Sequence, residues 1–545
     1  MIRWRSSCSL LTSCLARRHA PVALHSSSAQ AAIVRGKTTT AGTSISSTID
    51  FSDTKTSFQN KSTYELWRAF VLFKLFKYEK LVDKSEKLLG LLKSIVGDRL
   101  FTKVMKATIF GHFVAGETGE EVNSTLTRLE SQGILPILAY SAEDDVTESE
   151  TKSTSERDAA TERACDNNLK NAIDCLNVVA DASQYPFSAT KITGLGHTSL
   201  LLLLSEVLVG SEKVFSLLAD KPDMLEGVVT SDSFLRGTEK MKLGFKENEV
   251  EKLWKTLKTN SYDNKLNFFE WNDAFLTDGS DFYEVLAKHS PHELNLPLMS
   301  EEEKDQMKSV MRRMESLADV AQERGVRLMI DAEHTYYQPA IRHITVHRLM
   351  PKYNMQYPLL YNTQQCYLRS SFNDLLRDIA ASEHYGYRFA IKTVRGAYVT
   401  LEKALALKKG YPDPIWGKKS ETDSSYHRIL NHVLERVGEG KASIMVATHN
   451  EATVHFALKK VNELGLNKTD SSVVFGQQYG MSDNLTCTLG SSGLMAYKYT
   501  PYGPVGEVLP YLIRRANENK GMLDGAVRER SLISRELKRR LMRKN

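Results

Sequence analysis

The stretch RFAIKTVRGAYVTLEKALA, residues 388–406, holds the pattern that decides the fold. Its first seven residues are rich in apolar and β-branched side chains, which is typical of a strand. The residues after Arg395 are amphipathic at helical spacing. One strand followed directly by one helix makes a β/α unit.

Eight segments of the chain are predicted as strands of this kind, and most are separated by amphipathic stretches long enough for a helix. They are ILPILAYS (134–141), SATKIT (188–193), RLMIDAE (327–333), LLYNTQQCYL (359–368), RFAIKTV (388–394), SIMVATH (443–449), SVVFGQQ (472–478) and LMAYKYT (494–500). Eight such repeats favour an α/β fold with a closed, TIM-like (β/α)8 barrel. An open, doubly wound sheet is the alternative.

Polar residues cluster at the carboxyl ends of five predicted strands, where barrel enzymes place their active sites. They are Asp331, Glu333, Gln364, Gln365, Arg395, Thr448, His449, Asn450, Gln477 and Gln478. Helix capping explains Asn450 or Asp331 individually, but it does not explain the whole set.

The net positive charge of the chain comes from its first 49 residues. The formal net charge is +6, and this segment holds six Arg or Lys and no acid, which leaves 66 basic against 66 acidic residues elsewhere. A neutral body lacks the basic patch that nucleic-acid binding requires. The leader is also rich in Ser, Thr and Ala, so residues 1–40 are predicted as a mitochondrial transit peptide rather than a secretory signal or a merely disordered tail.

The sequence predicts neither a membrane-spanning helix nor a cysteine-based metal or redox site. The longest apolar run, SLLLLLSEVLV at 199–209, is too short to span a bilayer. The six cysteines include no C-x-x-C pair, so neither a zinc ribbon nor a redox dithiol is indicated. Reduced thiols fit a matrix compartment.

The predicted barrel domain covers residues 131–524. Three further regions are distinguished by their composition, two outside this domain and one within it. Residues 50–130 form a predicted N-terminal helical region, and residues 143–166 form a predicted solvated, acidic loop. Residues 525–545 form a basic tail.

The basic tail places Ile533, Leu537 and Leu541 on one helical face. This pattern predicts peripheral contact with an anionic membrane, with a solvated helix end as the simpler alternative.

A helical insertion at residues 211–290 has the outline of an EF-hand, with a twelve-residue loop that ends in Glu270. The calcium ligands do not fit, because Thr259 and Ser261 occupy ligand positions and Asn264 replaces the tight-turn glycine. We expect a degenerate, calcium-free helix pair.

The turn ITGLGHTS places Gly194 and Gly196 between a strand and a helix, as in a dinucleotide-binding turn. Ser199 stands where the third glycine belongs. An ordinary turn of the barrel fits these residues as well.

The segment YLIRRANEN, residues 511–519, offers the most specific chemistry outside the strands. In a helix, Tyr511, Arg514, Arg515 and Glu518 lie on one face. This face is either solvated, with an Arg514–Glu518 pair, or a bidentate clamp for an anion.

Six ordered motifs between Leu328 and Asn519 carry a resemblance to a known family. They are LMIDAEHTYYQPAI, YNTQQCYL, KTVRGAYVTLEKALA, VATHNEAT, VVFGQQYGMSD and YTPYGPVGEVLPYLIRRANEN. In this combination the chain resembles the mitochondrial proline dehydrogenases. The resemblance implies a distorted (β/α)8 barrel that holds FAD noncovalently, with no metal. It also implies oxidation of L-proline to Δ1-pyrroline-5-carboxylate, with electrons passed to ubiquinone at the matrix side of the inner mitochondrial membrane.

The resemblance also implies roles for individual residues. Those implied for the proline pocket are Lys191, Asp331, Tyr499, Tyr511, Arg514, Arg515 and Glu518, with the two arginines clamping the carboxylate. Those implied for FAD are Gln365, Lys392, Val394, Arg395, Gly396, Ala397, Tyr398, Thr448, His449, Asn450 and Gln478. Simpler roles exist for some, since Val394 and Ala397 fit a barrel core and Tyr398 fits a helix-packing ring.

Three alternative functions follow from the same residues. Hydroxyproline dehydrogenases are the nearest relatives in function, and the ring of Tyr499 is implied to crowd a C4 substituent and so to favour proline. An NAD-dependent dehydrogenase would use the Gly194 turn, and a non-catalytic calcium-binding scaffold would use the loop at Thr259.

Overall fold

The structure is a computed structural model of the chain. It describes residues 49–78, 84–140, 154–241, 243, 245–257, 264–274, 280–289, 296–467, 469–521 and 523–542. Within these ranges only the backbone is described at residues 86, 154–158, 247, 256, 280–282, 289, 514–521 and 523–526. The predicted transit peptide lies outside the described residues.

Eight parallel strands close into a barrel. In chain order they are β1 (Leu135–Tyr140), β2 (Phe187–Thr190), β3 (Arg327–Ile330), β4 (Leu360–Gln365), β5 (Phe389–Val394), β6 (Ala442–Ala447), β7 (Val473–Gln478) and β8 (Ala496–Tyr502). Each strand pairs with the next, and β1 pairs with β8, with Ile137 opposite Tyr499. The predicted barrel is confirmed with all eight predicted strands, and the open sheet is excluded.

Side chains alternate along each strand between the interior and the helical layer. Near the amino ends the interior is packed with apolar groups, and the ring of Phe187 meets the rings of Tyr361 and Tyr497 edge-on, with centroids 5.3 and 5.0 Å away. Residues of the same parity further along, such as Lys392 and Tyr499, face the interior at the carboxyl end. The barrel therefore has an apolar base and a polar top.

Among the described residues, five helices precede the barrel. They are α1 (Thr54–Phe58), α2 (Thr63–Leu75), α3 (Ser85–Ala107), α4 (Ile109–Phe113) and α5 (Gly119–Glu130). A capping box between Ser62 and Glu65 starts α2, and Gly97 kinks α3 with a φ of 74°. The chain then joins the barrel, because the N–H of Ala115 donates to the carbonyl of Pro501 in β8 (2.8 Å).

The segments around β2 are helical. They are α6 (Thr154–Ala182), α7 (Thr198–Leu218), α8 (Ser231–Lys240), α9 (Glu247–Leu257), α10 (Phe268–Asp273), α11 (Ser280–His289) and α12 (Glu301–Arg324). The predicted acidic loop is wrong for residues 154–166, which are helical, while residues 143–153 lie outside the described residues. The reason is the fully buried guanidinium of Arg313 in α12, which binds Glu162 (2.5 Å) and Asp166 (2.8 Å).

The insertion contains two helix–loop–helix units, α7–α8 and α9–α10. A short antiparallel ribbon joins them, with residues 229–230 paired to residues 265–266. Asn264 adopts the left-handed conformation (φ 65°) at the predicted tight turn, and Glu270 caps α10 together with Asn267. Thr259 and Ser261 lie outside the described residues. In the described part, no group of three His, Cys, Asp or Glu is placed to hold a metal ion.

The remaining helices follow β3 to β8. They are α13 (Gln338–Arg342), which continues as the π-helix His343–Leu349 into α14 (Met350–Tyr353), then α15 (Ser371–Tyr385), α16 (Val399–Lys409), α17 (Lys419–Gly438), α18 (Glu451–Glu463), α19 (Asp483–Ser491), α20 (Val505–Gly521) and α21 (Leu523–Met542). In the described ranges no helix has the length and apolar character that crossing a membrane requires.

The predicted membrane face of the basic tail is wrong for two of its three residues. Ile533 and Leu537 are buried, because α21 packs them against α1 and α2 in one apolar cluster. Leu541 is exposed. The tail is therefore part of the folded core of the N-terminal region.

Two histidines of the helical layer, His112 and His343, are buried, and His347 is half-buried there. Burial lowers the pKa of His112 and of His343 to about 3, and it lowers that of His347 well below 6.5. His112 and His343 are therefore neutral in the folded chain at pH 5, whereas unfolding allows each to bind a proton below about pH 6.5.

We predict that the free energy of unfolding decreases as the pH falls from 6.5 to 5. The unfolded chain binds more protons in this window, and His112 and His343 each contribute a loss of about 2 kcal/mol by pH 5. Urea unfolding of wild type and His343→Asn at both pH values measures the effect, and the variant should lose part of this pH dependence. His455→Asn, at an exposed position, is the matched control. An equal pH dependence in wild type and His343→Asn contradicts the prediction.

Candidate active site

The carboxylate of Asp331 is the centre of a polar cluster at the top of the barrel. Asp331 follows β3, and its backbone N–H donates to the carbonyl of Thr190 in β2 (2.9 Å). Its Oδ1 accepts from the Nζ of Lys392, and its Oδ2 accepts from the phenol of Tyr499 (3.1 Å). The Nζ of Lys392 lies 5.7 Å from the centre of the Tyr499 ring. One carboxylate thus brings together three predicted site residues from three strands.

Glu333 is buried beside this cluster and holds the turn after β2. It accepts hydrogen bonds from the backbone N–H (3.3 Å) and the hydroxyl (2.6 Å) of Thr193, and its carbonyl accepts from the amide of Gln365 (2.8 Å). Burial raises the pKa of Glu333, and hydrogen bonding to Thr193 and the charge of Lys191 oppose the rise. Lys191 is therefore close to Glu333, where β2 and β3 end.

Arg395 is clamped from the helical layer. Its Nε and one terminal nitrogen donate to Asp423 (2.9 and 2.6 Å), and that terminal nitrogen also donates to Thr453 (3.0 Å). The other terminal nitrogen donates to Thr448 (2.7 Å), and the guanidinium lies 4.8 Å from the ring of Tyr426. Within the described residues these bonds use four of the five N–H groups of a guanidinium, so one is left for a ligand.

Gly396 lets the backbone pass directly over an aromatic ring. Its φ is 132°, a conformation that favours glycine, and a Cβ built there would lie 2.4 Å from the ring of Tyr367. Because Gly396 has no side chain, the chain turns tightly at the end of β5.

The residues around this glycine do not all belong to the barrel core. Ala397 is exposed and Val394 is half-buried, so the core role is excluded for Ala397. The ring of Tyr398 packs on the imidazole of His334 with centroids 4.2 Å apart, and this imidazole lies 3.3 Å from Glu402. Burial raises the pKa of Glu402, but hydrogen bonds from His334 and from the following threonine outweigh it and lower the pKa.

The three polar residues after β6 have different roles. The hydroxyl of Thr448 accepts from the backbone N–H of Asn450 (3.1 Å). The side chain of Asn450 caps α18 by accepting from the N–H of Thr453 (3.0 Å), so capping accounts for it. The Nδ1 of His449 lies 3.0 Å from the hydroxyl of Ser482.

The two glutamines that end β7 face opposite sides of the barrel wall. Gln477 faces the helical layer, where it donates to the carbonyl of Thr448 (3.1 Å) and accepts from Thr486 (2.8 Å). Gln478 faces the interior, and its buried Oε1 makes no hydrogen bond within the described part of the chain. A buried acceptor without a donor is costly, which points to a ligand as its partner.

The segment YLIRRANEN is helical, as predicted, and belongs to α20. This helix starts at the top of the barrel, because the phenol of Tyr140 in β1 donates to Glu507 (3.1 Å) and the N–H of Val505 donates to Glu117 (2.9 Å). Tyr511 is buried in its middle.

Only the backbone is described at three predicted pocket residues of α20, which are Arg514, Arg515 and Glu518. Their roles remain predictions.

The glycine turn after β2 is explained by packing. Residues 192–194 form a 3-10 turn, and a Cβ built on Gly196 would lie 2.4 Å from the side chain of Val310 in α12. The glycine therefore allows α12 to approach, and no bound dinucleotide is needed to account for it.

Sequence reasoning missed the residues that hold the site in place. Asp423 and Glu402 are carboxylates on helices, where a solvated charge is the ordinary expectation. Ser482 has a left-handed backbone (φ 51°) just before α19. Their partners are distant in the sequence, so no local pattern indicated their roles.

The family model for proline dehydrogenase matches residues 122–526. The chain belongs to the proline dehydrogenase family. It is 36% identical over 550 residues to human "Proline dehydrogenase 1, mitochondrial", with 90% of each chain covered. It is 34% identical over 486 residues to the "Hydroxyproline dehydrogenase" of Xenopus laevis, with 89% of each covered. The predicted family and its class of oxidoreductase are confirmed, and the names of the relatives support the predicted mitochondrial location.

A solved structure of proline utilization A (PutA) from Bdellovibrio bacteriovorus, inactivated by N-propargylglycine, has a TM-score of 0.52. The identity is 15%, and the match covers 86% of this chain and 38% of that chain. At this identity the likeness concerns the fold alone, and it agrees with the proline dehydrogenase barrel described above.

We predict that Gly396→Ala destabilises the fold by about 1–3 kcal/mol, because the new methyl group overlaps the Tyr367 ring. Gly410→Ala is the matched control, since Gly410 also has a positive φ (73°) but open space around the built Cβ. Chemical unfolding measures both losses, and Gly396→Ala should lose more, because it adds the clash and also holds alanine at a more strained φ than Gly410→Ala does. Equal losses in the two variants would mean that Tyr367 moves aside without cost.

Proposed function

We propose that the chain oxidises L-proline to Δ1-pyrroline-5-carboxylate at the top of the barrel, with noncovalent FAD as cofactor. Family membership supports the reaction. The observation that carries the placement is the Asp331 cluster, which faces the interior on the same level as the unpaired Oε1 of Gln478.

The residues at the top of the barrel fit a flavin dinucleotide. Gln478 offers a buried acceptor and Arg395 offers one remaining N–H. Gly396 allows the tight turn at the end of β5 that follows Arg395. The chemistry that a bound flavin would supply is acceptance of a hydride from C5 of proline. Lys392, held by Asp331, would offer positive charge to the reduced flavin.

The proposed proline pocket combines fixed and clamping groups. Asp331 orients the phenol of Tyr499, so the ring presents a rigid edge to the substrate and favours proline over a C4-hydroxylated analogue. Lys191 and Tyr511 line the pocket, and Arg514 and Arg515 clamp the carboxylate. A clamped carboxylate is needed because the proline ring offers few other handles.

The proposed acceptor of the electrons is ubiquinone, and the proposed location is the matrix side of the inner mitochondrial membrane. The acid-free, arginine-bearing leader supports import into the matrix. A lipid-soluble acceptor requires the protein to work at a membrane surface.

The absorption spectrum of purified protein tests the proposal. We expect a flavin spectrum that is bleached by L-proline anaerobically and far more slowly by 4-hydroxyproline. A colourless protein that oxidises proline only with added NAD would contradict the proposed cofactor. Faster bleaching by 4-hydroxyproline would contradict the proposed substrate.

We predict that Arg514→Met and Arg515→Met each lower kcat/KM for proline by roughly 30-fold to several thousand-fold. Each change leaves the substrate carboxylate without a charge-assisted partner, a loss of about 2–5 kcal/mol. Flavin content should stay near normal, because the proposed cofactor contacts lie on β4 to β7. Arg528→Met, which removes a half-exposed arginine of α21, should leave kcat/KM unchanged. Near-normal kcat/KM in both α20 variants would mean that these arginines lie on a solvated face and do not bind the substrate.

A further inference from the structure

We propose that the hairpin of α2 and α3 docks on an anionic lipid bilayer. In the described part of the chain, 23 large hydrophobic side chains are exposed, and ten of them lie between Tyr64 and Val104. Exposed apolar residues are ordinary when scattered, but such a concentration marks an interaction surface. The docking hairpin is defined as residues 63–78 and 84–107.

The outer face of α2 carries one apolar stripe. Its members recur at helical spacing and are Tyr64, Trp67, Val71 and Leu75, of which Trp67 is 53% exposed. Tyr78, just after the helix, is also exposed. The opposite face packs into the apolar cluster of the N-terminal region through Leu66, Leu72 and Phe73. A helix that is apolar on both faces needs a second apolar environment.

The first half of α3 repeats this arrangement. Leu88, Leu91 and Ile95 point outward, and Ile95 is 71% exposed. The amino end of α2 lies beside the carboxyl end of α3, because the phenol of Tyr64 donates to the carbonyl of Ala107 (3.0 Å).

The charges of the docking hairpin select an anionic bilayer as its occupant. Its exposed basic residues are Lys74, Lys77, Lys84, Lys87, Lys93, Arg99 and Lys103. Among its described side chains, Asp98 is the one exposed acid, and it pairs with Lys93 (3.1 Å). Apolar residues with Trp and Tyr, surrounded by lysines, are typical of helices that lie in a lipid interface. Each basic residue near an anionic surface adds about 1 kcal/mol.

The docking hairpin is connected to the top of the barrel. Leu89 and Leu92 of α3 pack in the same apolar cluster as Tyr511 and Leu512 of α20. A bilayer bound to this surface therefore lies near the helix that covers the proposed pocket. This part of the inference rests on the proposed function, since it places the membrane-dissolved acceptor beside the site of proline oxidation.

The test is co-sedimentation of the full chain with phosphatidylcholine vesicles, with and without phosphatidylglycerol. We expect binding to the anionic vesicles that weakens as salt rises. The combined variant Trp67→Ser, Leu91→Ser and Ile95→Ser should lower the partition coefficient at least about tenfold, because it removes three apolar side chains from the contact. Leu407→Ser, at a site that is 86% exposed on α16, should bind like wild type.

Proline oxidation with a soluble dye as acceptor is measured on the same samples. We expect equal dye-linked rates in wild type and variants, since the substituted residues are exposed. Unchanged vesicle binding in the combined variant overturns the inference, as does equal binding of wild type to uncharged vesicles. A wild-type dimer that the variant cannot form would show that a second copy covers this surface instead. Absence of dye-linked activity in wild type contradicts the proposed function and leaves the vesicle result to decide the surface alone.

Discussion

Pairing of β1 with β8 is the constraint on which the rest of the structure depends. It closes the sheet, so that all eight carboxyl ends meet around one opening and alternate side chains of every strand face a common interior. Asp331 is 61 residues from Lys392 and 168 residues from Tyr499 in the chain, yet its carboxylate binds both. An open sheet would leave the first and last strands at opposite edges, and this shared contact would not form.

The groups that face the interior are held by a second set behind the strands. Asp423 fixes Arg395 from α17, and Ser482 fixes His449 from the loop before α19. Ser482 is itself fixed, because its backbone N–H donates to the buried carboxylate of Glu529 in α21 (2.8 Å). His449, Ser482 and Glu529 thus form three successive layers, from the interior of the barrel to the outer helix. A polar site supported in this way is pre-organised before a ligand binds.

The sequence was most informative where a residue's neighbours along the chain decide its environment. The eight strands were predictable because buried apolar runs recur between amphipathic helices, and the polar strand ends followed from them. The acidic run at 154–166 was misjudged because its partner, Arg313, comes about 150 residues later and looks like any helix arginine. The tail was misjudged for the same reason, since the helices that bury Ile533 and Leu537 lie at the other end of the chain. Asp423 was missed because nothing in the neighbouring sequence distinguishes a carboxylate that binds a distant arginine from one on a solvated helix face.

The helix α21 also connects α19 with the helices that precede the barrel. Glu529 of α21 accepts from the N–H groups of Ser482 and Asp483 at the start of α19, while Arg540 donates to the carbonyls of Phe58 and Lys61 (2.7 Å each). A polypeptide is synthesised from its amino end, so α1 and α2 cannot pack against α21 until that helix has been made. Contacts between such remote segments form slowly. The apolar faces of α1 and α2 that α21 covers stay exposed during that delay, and exposed apolar faces favour aggregation.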